Sequence, residues 1–152
     1  MQKRTKIILA LVIAALLVTA GILQWNWYHV DGSEIACLNA IPTDCTGTVH
    51  VVTWDQQRWE QEMTGEQIQQ LLELMRSTSY QKETEDLYSG NWDATYFVFL
   101  NYTLDGQAQY LSLQICGDEA VIFQGTAARP SFLLLVESEG WEAALEAIFP
   151  TP

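Results

Sequence analysis

The chain has 152 residues, 49% of them hydrophobic, which is enough for one domain with a modest core of its own. Its formal net charge of −12 repels nucleic-acid phosphates and anionic lipid headgroups, which argues against nucleic-acid and membrane-surface binding. All 19 acidic residues lie after residue 30, where only 4 basic residues accompany them, so this part of the chain carries a net charge of −15. Such a charge favours solubility and suits cationic partners.

A hydrophobic segment occupies the start of the chain. Residues 1–6 form a basic tail, and residues 7–28 are uncharged over a length that predicts a transmembrane helix. No lysine or arginine follows this helix until Arg58. Because basic residues are retained in the cytoplasm, the asymmetry predicts a cytoplasmic tail, a single passage of residues 7–28 through the lipid bilayer, and an extracytoplasmic body.

The same segment also fits a cleavable signal peptide, which shares the basic start and the apolar run. Small residues ending at Ala20 form an acceptable cleavage site. However, the apolar run continues beyond Ala20, and Trp25, Trp27 and Tyr28 match the aromatic residues found at a membrane interface. The sequence favours an anchor and keeps a secreted, cleaved protein as the alternative. In both alternatives, the part of the chain that follows the apolar segment lies outside the cytoplasm.

Residues 29–47 are predicted to be a juxtamembrane linker, with an irregular cap of the domain as the alternative, because they are rich in Gly, Ser, Asp and Pro. Within them, Cys37 and Cys45 bracket a short loop, and a disulfide between them would staple it in an oxidising compartment. Two reduced thiols are the alternative. With no paired C-x-x-C motif and only 2 histidines in the chain, we predict no metal site and no cofactor.

Residues 48–152 are predicted to form an extracytoplasmic α+β domain that opens with a β-branched and aromatic strand at residues 48–54. A helix follows at Thr64, where Gln67 three residues later completes a capping box. This helix is predicted to end near residues 77–79. Its apolar residues recur at helical spacing and predict one buried face. They are Ile68, Leu71, Leu72 and Met75.

Residues 95–104 and 107–115 predict a β-hairpin, because the Asp105–Gly106 dipeptide suits a two-residue turn in which Leu104 pairs with Gln107. A second tight turn, centred on either of the two residue pairs within 117–119, leads to a strand at 120–124. On this strand we expect Ile122 on the core face, with Val121, Phe123 and a half-buried or buried Cys116 on the opposite face. A strand at 132–136 and a helix at 141–149 follow. The predicted fold is an antiparallel meander with two helices packed on one face.

No catalytic constellation is recognisable. The two histidines, His29 and His50, are not placed with a nucleophile in any motif, and no phosphate-binding glycine loop is present. We therefore expect a non-catalytic binding or interaction module of the cell envelope, with a protein or envelope component as its partner. A secreted binding or inhibitor protein is the alternative, and an enzyme is less favoured.

Three tryptophans are the candidate binding residues. Trp54, Trp59 and Trp92 fall at strand ends or in loops beside charged residues. Aromatic anchors surrounded by charge are typical of binding surfaces. Burial in the core is the alternative explanation, since tryptophan is highly buried on average.

Overall fold

The structure is a computed structural model that describes residues 2–52, 58–82, 95–125, 129–137 and 139–150. The helices are α1 (Gln2–Tyr28), α2 (Ala36–Asn39), α3 (Gly65–Ser77) and α4 (Trp141–Ile148), with a 3-10 turn at Gly32–Glu34. The strands are β1 (His29–Asp31), β2 (Thr46–Val52), β3 (Arg58–Glu62), β4 (Ser79–Lys82), β5 (Tyr96–Leu104), β6 (Gln107–Cys116), β7 (Ala120–Gly125) and β8 (Arg129–Val136).

The described strands form one eight-stranded antiparallel sheet in the order β1-β4-β8-β7-β6-β5-β2-β3. Its centre is the predicted meander, because β5 to β8 are consecutive neighbours. β2 extends this meander beside β5, and β4 extends it beside β8. The predicted α+β class is confirmed. β1 and β3 form the two edges of the sheet.

One face of the sheet carries the hydrophobic core, and we call it the covered face. Alternate residues of the central strands, such as Val98, Leu113 and Phe123, are buried there together with apolar residues of α3 and α4. The two helices are also joined directly, since Gln67 Nε2 donates a hydrogen bond to the Ile148 carbonyl at 2.8 Å. The opposite face is called the outer face.

The start of α3 is the predicted capping box. Thr64 Oγ1 accepts the Gln67 backbone N–H at 3.2 Å, and Gln67 Oε1 accepts the Thr64 backbone N–H at 3.0 Å. Two of the donors that a helix N-terminus leaves unpaired are thereby satisfied. The four apolar residues at helical spacing are all buried, and the helix ends at Ser77, as predicted.

The hairpin of β5 and β6 has the predicted register, with Leu104 opposite Gln107. Asp105 and Gly106 occupy its turn with φ values of 51° and 75°. Positive φ at both central residues is the requirement of a type I′ turn, which matches the right-handed twist of the strands.

The predicted faces of β7 are wrong. Cys116 pairs with Ala120 across a turn of three residues, so Val121 and Phe123 lie opposite Ile115 and Leu113 on the covered face. Ile122 lies opposite Gln114 on the outer face. Shifting the pairing of a strand by one residue moves every side chain to the other face, and the longer turn causes this shift. Cys116 is buried on the outer face beside Ala120, as expected.

Residues 29–47 differ from the predicted linker, because the structure packs them into the domain. β1 pairs with β4, and the Gly32 N–H donates to the Thr78 carbonyl at 2.8 Å. Although residues 29–47 are mostly polar, four apolar side chains among them are buried and complete the core. They are Ile35, Leu38, Ile41 and Cys45.

Candidate functional site

The N-terminal helix is long and apolar enough to cross a membrane. The stretch Lys6–Tyr28 has 23 residues, none of which is buried against the rest of the described chain. At 1.5 Å per residue it is about 35 Å long, which exceeds the ~30 Å of a bilayer core. Large apolar side chains cover its surface, and Leu17 is 68% exposed and Trp27 73% exposed. A helix of this kind is either a membrane anchor or a signal peptide.

This helix continues into the sheet without an intervening loop, because α1 ends at Tyr28 and β1 begins at His29. The His29 ring stacks on Trp25 with centroids 3.6 Å apart, and its Nδ1 lies 3.0 Å from the Trp25 carbonyl oxygen. Its Nε2 lies 3.0 Å from Glu137 Oε1, just beyond β8. A protonated imidazole can donate to both oxygens at once. His29 thus links the last turn of the helix to the sheet.

The predicted binding tryptophans are not brought together by the described structure. Trp59 lies in β3 and is half-buried against the core. Its indole Nε1 is buried and has no hydrogen-bond partner among the described residues. Trp54 and Trp92 lie outside the described residues, so their role stays a prediction.

The exposed edge of β3 was not predicted from the sequence. Trp59 and Gln61 lie opposite Val51 and Val49 on the covered face, while Glu60 lies opposite His50 on the outer face. Gln61 Nε2 is a second buried donor without a partner in the described part of the chain. Among the described strands, none pairs with the far side of β3, so the edge combines unpaired backbone with two unsatisfied donors on one side and carboxylates on the other.

The outer face beside this edge is partly aromatic. Phe99 and Tyr110 are exposed there, and Phe97 is half-buried. His50 meets Phe99 edge to face with centroids 5.5 Å apart, and its Nδ1 lies 3.6 Å from Glu60 Oε2. His50 is separated from Cys116 by β5, so the described strands do not pair this histidine with a thiol nucleophile.

The two cysteines of the predicted disulfide share one environment. Cys45 is buried and Cys37 is half-buried against the same core. Burial and the nearby Asp44 carboxylate raise the pKa of the Cys45 thiol, which makes it a weak nucleophile. Burial raises the pKa of the Tyr102 hydroxyl, and the neighbouring Cys37 and Cys45 raise it further. The disulfide itself stays a prediction.

Among the described side chains, no group of three histidines, cysteines or carboxylates is arranged to hold a metal ion. The chain matches no protein-family model, no curated protein and no solved structure.

Proposed function

We propose that the chain is a single-pass membrane protein whose acidic α+β domain lies outside the cytoplasm and acts as a non-catalytic binding module of the cell envelope. The observation that carries this proposal is the exposed apolar helix that runs from the basic tail directly into the sheet. An apolar helix with no covering protein is stable in lipid, where its side chains avoid water.

The residues after Ala20 support an anchor over a cleaved signal. Cleavage there would leave Ile22, Leu23, Trp25 and Trp27 on a helical end in water, and each of these side chains is more than half exposed. In an anchor, the two apolar side chains meet lipid and the two tryptophans meet the membrane interface.

The distribution of charge supports the orientation. Basic residues precede the helix, and the part of the chain after it carries the net charge of −15. Retention of the basic tail in the cytoplasm places the domain outside. Repulsion from anionic lipid then keeps the domain's surface available to other partners.

Binding rather than catalysis is supported by the kinds of group that are exposed. The open edge of β3 and the aromatic residues of the outer face are recognition features. Nucleophilic catalysis needs a nucleophile and a base within hydrogen-bond reach of each other. Burial raises the pKa of the Cys45 thiol, which disfavours its nucleophilic thiolate form.

Membrane fractionation combined with N-terminal sequencing tests the proposal. We expect the intact chain, including residues 1–6, in the membrane fraction after a high-pH carbonate wash. Protease added to intact cells should degrade the domain. Ala20→Leu removes the small residue of the candidate cleavage site and should leave location unchanged. A mature chain that begins at Gly21 in the medium, and that A20L retains on the membrane, would instead establish the secreted binding or inhibitor protein.

A further inference from the structure

We propose that the open edge of β3 binds an extended, lysine- or arginine-containing segment of another protein, which adds a ninth strand to the sheet. This inference rests on the proposed binding function and names the chemistry of the partner. The segment would place its basic side chains on the outer face and hydrogen-bond acceptors on the covered face.

The backbone of β3 presents three residues to such a strand. The Met63 N–H donates to the Gly47 carbonyl at 2.8 Å, so this pair belongs to the hydrogen-bonded set of the β2–β3 ladder. Because hydrogen-bonded and non-hydrogen-bonded pairs alternate, Trp59 and Gln61 also direct their backbone groups toward β2. The N–H and C=O groups of the alternate residues then point away from the sheet. These are Arg58, Glu60 and Glu62, which we call the β3 edge.

The hydrogen bonds of β2 on its other side agree with this alternation. The Val52 N–H donates to the Thr95 carbonyl at 2.9 Å, so the even-numbered residues of β2 direct their backbone groups toward β5. The odd-numbered residues therefore face β3. Among the described residues, no strand pairs with the far side of β3.

Two unsatisfied donors lie beside this edge on the covered face. Trp59 Nε1 and Gln61 Nε2 are buried and have no hydrogen-bond partner in the described part of the chain. A buried donor left unpaired is unfavourable, and native structures satisfy most such groups. Side chains of an added strand lie about 5 Å from those directly opposite. Both donor atoms are enclosed in the unbound domain, so threonine, serine or asparagine at these positions would supply acceptors once the Trp59 and Gln61 side chains rotate toward the new strand.

The outer face beside the edge selects for positive charge. Glu60 and Glu62 point to this face together with Arg58, so two carboxylates accompany one guanidinium there, and the Glu60 side chain is 62% exposed although it lies 3.6 Å from His50 Nδ1. Basic residues at alternate positions of a new strand would lie opposite these carboxylates, and opposite charges across a ladder are favourable. The net charge of −15 beyond residue 30 strengthens the attraction at longer range.

A second copy of the chain is a poorer occupant. An antiparallel pair of β3 strands that matches Arg58 with Glu62 forms two such opposite-charge pairs and places Glu60 opposite its own copy, so the net charge of the two domains decides the balance. Like charges directly opposite are destabilising, and two strongly acidic domains repel each other as they approach.

The position of the edge relative to the anchor favours access. β1 continues α1 and lies at one edge of the sheet, whereas β3 lies at the other, seven strands away in the sheet order. At about 4.8 Å per strand spacing this separation is about 34 Å along the sheet. The β3 edge is thus the one that is remote from the membrane helix.

Binding of designed peptides to the full chain in phosphatidylcholine nanodiscs tests the inference. The first probe is a fluorescent peptide of about nine residues that alternates lysine and threonine, a length sufficient to cover the five residues of β3. The second replaces lysine with glutamate, and the third keeps lysine but is N-methylated at alternate residues. We expect the first to bind at least about tenfold more tightly than either of the others. Hydrogen exchange at the Glu60 and Glu62 amides should slow on binding.

Charge variants locate the site. Glu60→Lys/Glu62→Lys should weaken binding of the lysine peptide at least about tenfold and strengthen binding of the glutamate peptide. Glu60→Gln/Glu62→Gln is the milder variant and should weaken it by a smaller factor. The matched control, Glu73→Lys/Glu146→Lys, changes the charge equally at exposed positions of α3 and α4. It should change the affinity no more than about twofold, and circular dichroism should confirm that each variant is folded.

Several results would overturn the inference. Equal binding of the N-methylated peptide, or equal weakening by the α3 and α4 control, would mean general electrostatic attraction without strand addition. Dimers that are lost in Glu60→Gln/Glu62→Gln would make a second copy the occupant. If the chain fractionates with the membrane but binds no peptide, the anchored binding module is retained and only this partner chemistry is refuted. If the chain is cleaved at Ala20 and binds the peptide, the partner chemistry is retained and the membrane anchor is refuted.

Discussion

Substitution of Gly32 by alanine should severely destabilise the domain. A Cβ atom at Gly32 would overlap the Met75 carbonyl oxygen and lie 2.9 Å from the Arg76 Cα. Both atoms belong to the backbone of the last turns of α3, so no side-chain rotation relieves the overlap. The same Met75 oxygen accepts a buried hydrogen bond from the Tyr80 hydroxyl at 2.9 Å. Moving it would disturb a second interaction.

The expected magnitude follows from these contacts. Overpacking of a well-packed site costs about 1–3 kcal/mol, and weakening a hydrogen bond costs about 1 kcal/mol more. We therefore expect Gly32→Ala to lower the free energy of unfolding by about 2–4 kcal/mol, a large fraction of the ~5–15 kcal/mol typical of a domain. The backbone of Gly32 does not have positive φ, so the effect comes from the contact and not from the dihedral angles.

Urea denaturation of the full chain in detergent micelles, followed by tryptophan fluorescence, measures this loss. Gly65→Ala is the matched control, because a Cβ at Gly65 meets no atom within 4 Å. It should leave the free energy of unfolding unchanged or raise it by up to about 1 kcal/mol, because alanine loses less backbone entropy than glycine on folding. A similarly small effect of Gly32→Ala would refute the packing of the segment after the membrane helix against α3.

Three further predictions test local features of the domain. Thr64→Ala removes the side-chain acceptor of the capping box and should lower the free energy of unfolding by about 1 kcal/mol in denaturant titrations. Thr64→Ser keeps the hydroxyl acceptor and should retain this stability. Equal losses in the two variants would contradict the cap. Burial raises the pKa of Tyr80 above its ordinary 10.0, so the folded state keeps a proton that the unfolded state releases, and stability should fall as the pH rises above about 10. Tyr80→Phe should make this fall shallower, and an unchanged slope in unfolding experiments across that range would refute the assignment. If Cys37 and Cys45 form the predicted disulfide after export, a thiol reagent should react with only 1 of the 3 cysteines, Cys116, in the unreduced, denatured protein. Reaction of all 3 cysteines would exclude the disulfide.

The elements that the sequence predicts well are those whose signal is local. The capping box at Thr64 and the Asp105–Gly106 turn each fix a backbone conformation through residues next to one another. Once that turn is set, the pairing of every residue in β5 and β6 follows from alternation alone. The side chains of β7 were predicted on the wrong faces because the turn that begins at Gly117 has one residue more than a two-residue turn. One extra turn residue moves every side chain of the following strand to the other face.

The missed elements are strands whose stability comes from their neighbours. β1 and β4 are short, and the sequence of β3 (Arg58–Glu62) alternates tryptophan and glutamine with charged residues instead of β-branched ones. Strand preference reflects packing on adjacent strands more than intrinsic backbone preference, so such segments carry little signal of their own. Their assignment requires the long-range pairing with β2, β4 and β8.

The candidate binding surface was predictable only in part. Trp59 was predicted to be a binding residue because an aromatic residue beside charged residues is typical of binding sites. Its unsatisfied Nε1 and its neighbour Gln61 become visible only when β3 is placed at the edge of the sheet. The excess of acidic residues is evident from composition. That Glu60 and Glu62 lie on one face of an edge strand follows only from the register of β3 with β2.

The mode of attachment and the binding edge are linked through the topology of the sheet. An antiparallel sheet has two edges, and here one of them, β1, continues the apolar helix directly at His29. If α1 lies in a bilayer, a strand that approaches β1 must come close to the lipid, whereas β3 is unobstructed by it. An anchored domain therefore offers one edge to an extended partner, and a secreted domain offers two. Because β1 has only 3 residues and β3 has 5, the edge that remains open in the anchored protein is also the one with the longer ladder.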